Sequence, residues 1–247
     1  MSIAQQSSAT ETRRVSVREG YALWAASYDR RPNPLLVLEE RVLEPMLPPV
    51  VNRHVLDVAC GTGRWMNRLA TRGAASVFGL DLSSQMLDRA LKKASLRGRL
   101  LRADCRQIPI LSGTIELALC SFIAGYLEDL RGLMRELSRL VTPQAEIFVS
   151  DVHPICHCRG WKRTFRHGNQ VLEIENTRHS IADIVRTGET SGLRLVGQAE
   201  PHWGEPERRI FQVAGKVHVY TQSCHDPAIF ILQFRPDSDT GKEWMKL

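Results

Sequence analysis

The chain has 247 residues, 43% of them hydrophobic and 24% charged, with a formal net charge of +6. This length fits one domain with an insertion, and the apolar share supports a sizeable core. There is no run of about 18 apolar residues that would span a membrane, and the six scattered cysteines suit a reducing cytoplasm better than a disulfide framework.

Residues 1–15 are small, polar and aperiodic, which predicts disorder, and Met1 to Thr12 lacks the apolar centre of a secretory signal. Val17, Tyr21, Trp24 and Tyr28 recur at helical spacing. A second helix is predicted over 34–47, with Pro34 in its first turn and Leu47-Pro-Pro closing it. A strand–helix alternation follows. Strands are predicted over 55–60, 76–82, 100–104, 116–122 and 146–151, with helices over 64–71, 84–95 and 127–140. Strands separated by helices of this length indicate right-handed crossovers and a parallel sheet covered on both faces.

The rhythm breaks after Asp151. Residues 152–180 hold Pro154, Gly160 and Gly168-Asn169 without a helical period. They read as an insertion over the top of the sheet, with a hairpin turning at 166–170. Helix returns over 181–190, then strand over 193–199, helix over 207–220 and a last strand over 228–234. Residues 16–247 thus read as a single domain. The basic pairs Arg13-Arg14, Arg30-Arg31, Lys92-Lys93 and Arg208-Arg209 are spread over many segments, as solvated faces are, so nucleic acid is not the expected partner. A homo-oligomer stays open.

The stretch Val55-Leu-Asp-Val-Ala-Cys-Gly-Thr-Gly63 reads as a buried strand running into a glycine turn and then a helix. Asp81 closes the next strand, 20 residues past Gly61, where a nucleoside-binding fold places the acid that holds ribose hydroxyls. A nicotinamide site usually carries a third glycine three residues after the second. Met66 stands there instead, which disfavours a dinucleotide.

These residues resemble the class I methyltransferases that use S-adenosylmethionine, specifically the small-molecule group with the ubiquinone/menaquinone and biotin-pathway enzymes. The matching segments are 55–63, Gly79-Leu-Asp-Leu-Ser-Ser-Gln-Met-Leu87, Arg102-Ala-Asp104, Leu117-Ala-Leu-Cys-Ser121 and, upstream, 19–29. The family's Arg-Pro-Gly-Gly turn is replaced by Thr142-Pro-Gln-Ala145. The resemblance implies a Rossmann-like, doubly wound α/β sheet of seven strands, mostly parallel with an antiparallel last strand, and S-adenosylmethionine as cofactor.

By position it also implies roles. Asp57 and the Gly61–Gly63 backbone hold the methionine end, with Ala59 and Cys60 as cofactor contacts in the same motif. Asp81 takes both ribose hydroxyls, with Leu82 and Met86 in the same motif. Asp104 and the Cys105 amide meet the adenine. Ser121 and Phe122 line the methyl-transfer site, and Tyr21 and Tyr28 close it from the N-terminal helix.

Methyl transfer is an in-line displacement that rests mainly on alignment in a dry pocket, with a base where the nucleophile is a hydroxyl. His153 follows the fifth strand of the alternating sheet, so it is the candidate base. Tyr126, His157 and Trp161 are candidate substrate contacts, and Phe165, Trp203 and Tyr220 are further possible aromatic walls. His153-Pro-Ile-Cys-His-Cys158 has four potential metal ligands, but the second half of a zinc site is missing, so no metal is expected. The expected function is methylation of a small, perhaps aromatic, acceptor at oxygen. The alternatives are a C- or N-acceptor, a carrier-protein-bound acyl carboxylate, and a non-catalytic cofactor-binding module.

Overall fold

A computed structural model describes residues 12–30 and 32–237. The chain begins with strand β1 (Thr12–Val15), helix α1 (Val17–Trp24) and helix α2 (Pro34–Met46). The Ser16 side chain caps α1 by accepting from the Glu19 amide, and Asn33 caps α2 by accepting from the Leu35 amide. The alternating part runs β2 (His54–Val58), α3 (Arg64–Thr71), β3 (Ser76–Asp81), α4 (Ser84–Ala90), β4 (Leu100–Arg102), β5 (Ile115–Ser121), α5 (Arg131–Leu140) and β6 (Val141–Val152). Then come α6 (Pro154–Cys158), β7 (Thr164–His167), β8 (Gln170–Ile174), α7 (Ile181–Glu189), β9 (Leu193–Ala199), α8 (Glu205–Val213), α9 (Val217–Ser223) and β10 (Ile229–Pro236).

Seven strands form one sheet in the order β4-β3-β2-β5-β6-β10-β9. The first five are parallel, and β10 runs antiparallel to both of its neighbours. This is the Rossmann-like sheet the sequence predicts. Alternation along β5 shows how it is buried on both sides. Leu117 and Leu119 pack into the core beneath α2 and α3, while Ala118 and Cys120 pack into the core beneath α5 and α7. In α5 the buried residues are Leu133, Met134, Leu137 and Leu140, one helical stripe. Met66 of α3 is fully buried against Gly79 of β3, where an added Cβ would lie 2.2 Å from the Met66 Sδ. The space that a third glycine would leave on the helix is left by the strand instead.

The structure departs from the predicted elements in several places. Thr12–Val15, read as disordered, is a strand; the rest of that stretch, 1–11, lies outside the described residues. Helix α4 stops at Ala90, and α5 begins only at Arg131, after Asp129 has turned the chain by accepting from the Arg131 amide. Residues 154–158 form a helical turn with Pro34-like chemistry at its start: Pro154 in the first position and a capping side chain before it. The helix predicted over 207–220 is two helices, broken where Gly215 adopts φ +67°.

The insertion is part of a second, smaller sheet of order β1-β8-β7. The hairpin β7–β8 turns at Gly168-Asn169, and β1 pairs parallel to β8 from Thr12 with Val171 to Val15 with Ile174. Val15, Phe165, Leu172 and Ile174 make its own small core, against which α1 lays Tyr21 and Trp24. The Trp24 and Phe165 rings stack at 4.9 Å. This cap fastens α1 over the end of the large sheet. Among the described residues, no helix is long and apolar enough to cross a membrane.

Candidate active site

A cavity of about 560 Å³ opens at the carboxyl ends of β2, β3, β4 and β5, under α1. Ligands collect there in open α/β sheets, because strand ends and helix starts converge with unpaired backbone groups. The turn after β2 supplies Ala59, Cys60, Gly61 and Thr62, and the strand itself supplies Asp57. Asp81 and Leu82 come from the end of β3, Asp104, Cys105 and Arg106 from the segment after β4, and Ser121 and Phe122 from the end of β5. Tyr21, Tyr28 and Tyr126 complete the wall. Ala59 and Phe122 hold left-handed backbone, φ +58° and +57°, conformations that are costly without glycine and concentrate where a site needs a sharp turn. At Gly61, φ +55°, an added Cβ would meet nothing within 4 Å, so the backbone is open to a ligand.

Two carboxylates define the charged floor. Asp81 Oδ2 accepts from the Gly61 amide at 2.9 Å and Oδ1 from the Ser83 amide at 2.8 Å. Burial raises its pKa, and those amides oppose the rise. Asp57 is 2% exposed, and burial pushes its pKa up to about 7 against the pull of Arg64. Asp104 is pulled down instead, by Arg106, whose Nε and Nη2 lie 3.0 and 2.7 Å from its oxygens. Burial also raises the thiol pKa of Cys60, and that of Cys105 to about 12, so neither is a thiolate nucleophile near neutrality.

Thirteen of the seventeen cofactor- and substrate-binding residues expected from the sequence border this cavity: Tyr21, Tyr28, Asp57, Ala59, Cys60, Gly61, Asp81, Leu82, Asp104, Cys105, Ser121, Phe122 and Tyr126. Gly63 does not; it starts α3, and an added Cβ there would strike Leu96 at 2.4 Å. Met86 does not either, being 1% exposed in the core with its amide donated to Ser83 Oγ.

The expected base, His153, is also outside the lining. Its Nδ1 accepts from the Ile155 amide at 3.2 Å and its Nε2 lies 2.8 Å from Glu200, so it caps α6 with both nitrogens engaged. His157 and Trp161 border a different groove with Arg14, Lys162 and Arg178, and Trp161 stacks on Trp203 at 5.9 Å. Phe165, Trp203 and Tyr220 serve packing. Among the described residues no cluster of three or more His, Cys, Asp or Glu is placed to hold a metal.

Two buried polar networks support the cavity and were not expected. Glu39 of α2 is 0% exposed; its carboxylate accepts from Arg64, Trp65 Nε1 and Ser150 Oγ. Glu39 falls on the same helical stripe as Leu35, Leu38, Val42 and Leu43, and an acid on an apolar stripe is a signal of a buried partner. Burial alone would lower the Arg64 pKa, but Glu39 and Glu40 overcome it and raise it. In the second network Arg163 bonds Asp151 and the Tyr126 hydroxyl, which also pairs with the Tyr21 hydroxyl at 2.9 Å. Arg163 lies two residues before inward-facing Phe165, and alternation alone places it on the same face.

Residues 55–144 match the methyltransferase domain family. The chain is 25% identical over 207 residues to the biotin biosynthesis bifunctional protein BioHC of Cellvibrio japonicus, with 82% of this chain and 39% of that protein covered. It therefore spans about two fifths of that relative's length. It is 25% identical to a ubiquinone biosynthesis O-methyltransferase of Coxiella burnetii, covering 70% of this chain and 76% of the relative. Among solved structures it superposes on an S-adenosylmethionine-dependent methyltransferase from Mesorhizobium loti with a TM-score of 0.63 and 21% identity, over 80% of this chain and 97% of that one.

Proposed function

Because the chain carries a class I S-adenosylmethionine-dependent methyltransferase domain, we propose that it transfers the cofactor's methyl group to an oxygen of a small organic acceptor. The observation that supports this is the joining, in one cavity, of the glycine turn, the Asp81 carboxylate and an aromatic end made by Tyr21, Phe122 and Tyr126. A space of about 560 Å³ suits a nucleoside-sized cofactor with a small partner beside it.

The residues present fit the cofactor. Each Asp81 oxygen has accepted one backbone N–H and keeps a lone pair for a ribose hydroxyl. Leu82 is 53% exposed beside it, an apolar surface for a flat base. Asp104 offers an acceptor for an exocyclic amine while Arg106 keeps it ionised. Ser121 Oγ is buried with no partner among the described residues, and a ligand group would satisfy it. When bound, the cofactor supplies an electrophilic methyl group on a positively charged sulfur. The chain's own contribution is to align, to exclude water beneath the cap and to surround that charge with carboxylates and aromatic faces.

Calorimetry with S-adenosylhomocysteine tests the reading. The wild-type chain binds it, and Asp81→Ala weakens binding by about 1–3 kcal/mol, since two bonds to a charged group are lost. No detectable binding by wild type removes the proposal.

A further inference from the structure

Resting on the methyltransferase reading, we propose that Arg163 is a positioning residue that fixes one phenolic proton of the Tyr21–Tyr126 pair toward the acceptor, so that the site selects acceptors presenting an oxygen lone pair. The proposal follows from counting hydrogens. Arg163 Nη1 lies 2.9 Å from the Tyr126 hydroxyl, and a guanidinium can only donate. Tyr126 and Tyr21 hydroxyls lie 2.9 Å apart, and one of their two protons makes that bond. Whichever ring donates to the other, one phenolic proton remains without an acceptor among the described residues. Both rings border the cavity, next to Ser121 and Phe122.

The arrangement is expensive as mere packing. Arg163 and its partner Asp151 are nearly buried, with side-chain exposures of 13% and 4%, and Arg163 Nε–H has no acceptor among the described residues. An apolar pair would hold the cap at lower cost. What an apolar pair would not do is anchor Tyr126. The guanidinium also stands 4.5 Å from the Tyr126 ring and 5.9 Å from the Phe122 ring, and Asp151 is itself pinned by the Gly125 amide at 2.8 Å. A hydroxyl that accepts from a cation donates more strongly, because the bonds polarise one another. The acceptor end therefore offers a strengthened donor, which matches a phenol, enol or carbonyl oxygen and repels an ammonium group.

The two tyrosines are not equivalent, and this makes the proposal testable. Without the Tyr21 hydroxyl, Tyr126 keeps both Arg163 and its own proton. Without the Tyr126 hydroxyl, Tyr21 loses its link to the cation. The probe is 4-nitrophenol added to the full-length protein saturated with S-adenosylhomocysteine, followed by its absorbance shift. Wild type binds it; Tyr126→Phe weakens it by roughly ten- to hundred-fold, and Tyr21→Phe weakens it less than Tyr126→Phe does. Arg163→Met matches Tyr126→Phe, and Arg163→Lys recovers part of the loss. Steady-state methylation of a phenol series is expected to show the same order, with the loss in KM and kcat for the phenol and not in the cofactor KM. Absence of 4-nitrophenol binding to the loaded wild type, or Tyr126→Phe binding it as wild type does, overturns the proposal. So does an Arg163→Met variant that loses only melting temperature. Failure of S-adenosylhomocysteine itself to bind would instead overturn the methyltransferase reading.

Discussion

Asp57 is a carboxyl group in the middle of a strand that is otherwise apolar, and its position makes cofactor binding pH-dependent. Burial raises its folded pKa to about 7, far above the unfolded value of 3.8. A raised carboxyl favours the protonated fold, so its effect on stability is absent below the unfolded pKa. Stability is then lost as pH rises from about 4 through about 7. Asp57→Asn is thus expected to stabilise the ligand-free protein near pH 8, by about 1–4 kcal/mol, as read from denaturant midpoints at pH 5 and pH 8. A cationic ligand reverses the preference by favouring the carboxylate. Calorimetry of S-adenosylmethionine binding at pH 6 in buffers of different ionisation enthalpy is expected to show proton release in wild type and none in Asp57→Asn. The same residue shows how far single positions can be read from sequence. Asp81 was legible from its spacing past the glycine turn, whereas Asp57 and Asp104 were legible only through the resemblance of their segments to the methyltransferases. His153 was chosen as base on its position along the strand, and the structure sets it outside the cavity against a partner, Glu200, that stands 47 residues later.

At the level of elements, α2 and α3 are joined by charges as well as by apolar packing. Arg64 and Arg68 of α3, and Arg72 just past its end, recur every four residues and meet Glu40 and Glu44 across the gap. The outer pairs are half-exposed and contribute little. Glu39 is different, since it satisfies Arg64, Trp65 and Ser150 together from a fully buried position. Glu39→Ala is expected to cost about 3–5 kcal/mol in urea denaturation, because buried Trp65 and Ser150 lose their acceptor and Arg64 keeps only Glu40. A second prediction concerns the fit of α1 on the cap. A Cβ at Gly20 would lie 2.7 Å from the Ile174 Cγ1. Gly20→Val is expected to destabilise by about 1–3 kcal/mol and to raise the Kd for S-adenosylhomocysteine, because α1 can no longer seat Tyr21.

For the whole molecule, the large sheet was legible because buried parallel strands read as continuous apolar runs punctuated by turns. The cap was only half legible. Its hairpin announced itself through Gly168-Asn169, but β1 is four residues long with a polar exterior, and its partner lies about 160 residues away. The expected consequence of this division is visible by amide exchange. Replacing residues 162–174 with a short glycine linker should leave protection in β2, β3 and β5 unchanged and abolish it in α1; equal protection in α1 would show that the cap does not hold it. Parallel pairing of β1 with β8 also imposes an order on synthesis. The first strand leaves the ribosome long before its partner exists, on the order of ten seconds at ordinary elongation rates. During that interval the nucleoside half, complete by Ser121, can form around its glycine turn while the amino-terminal strand hangs unpaired. A nascent chain would thus meet its cofactor before it can enclose an acceptor.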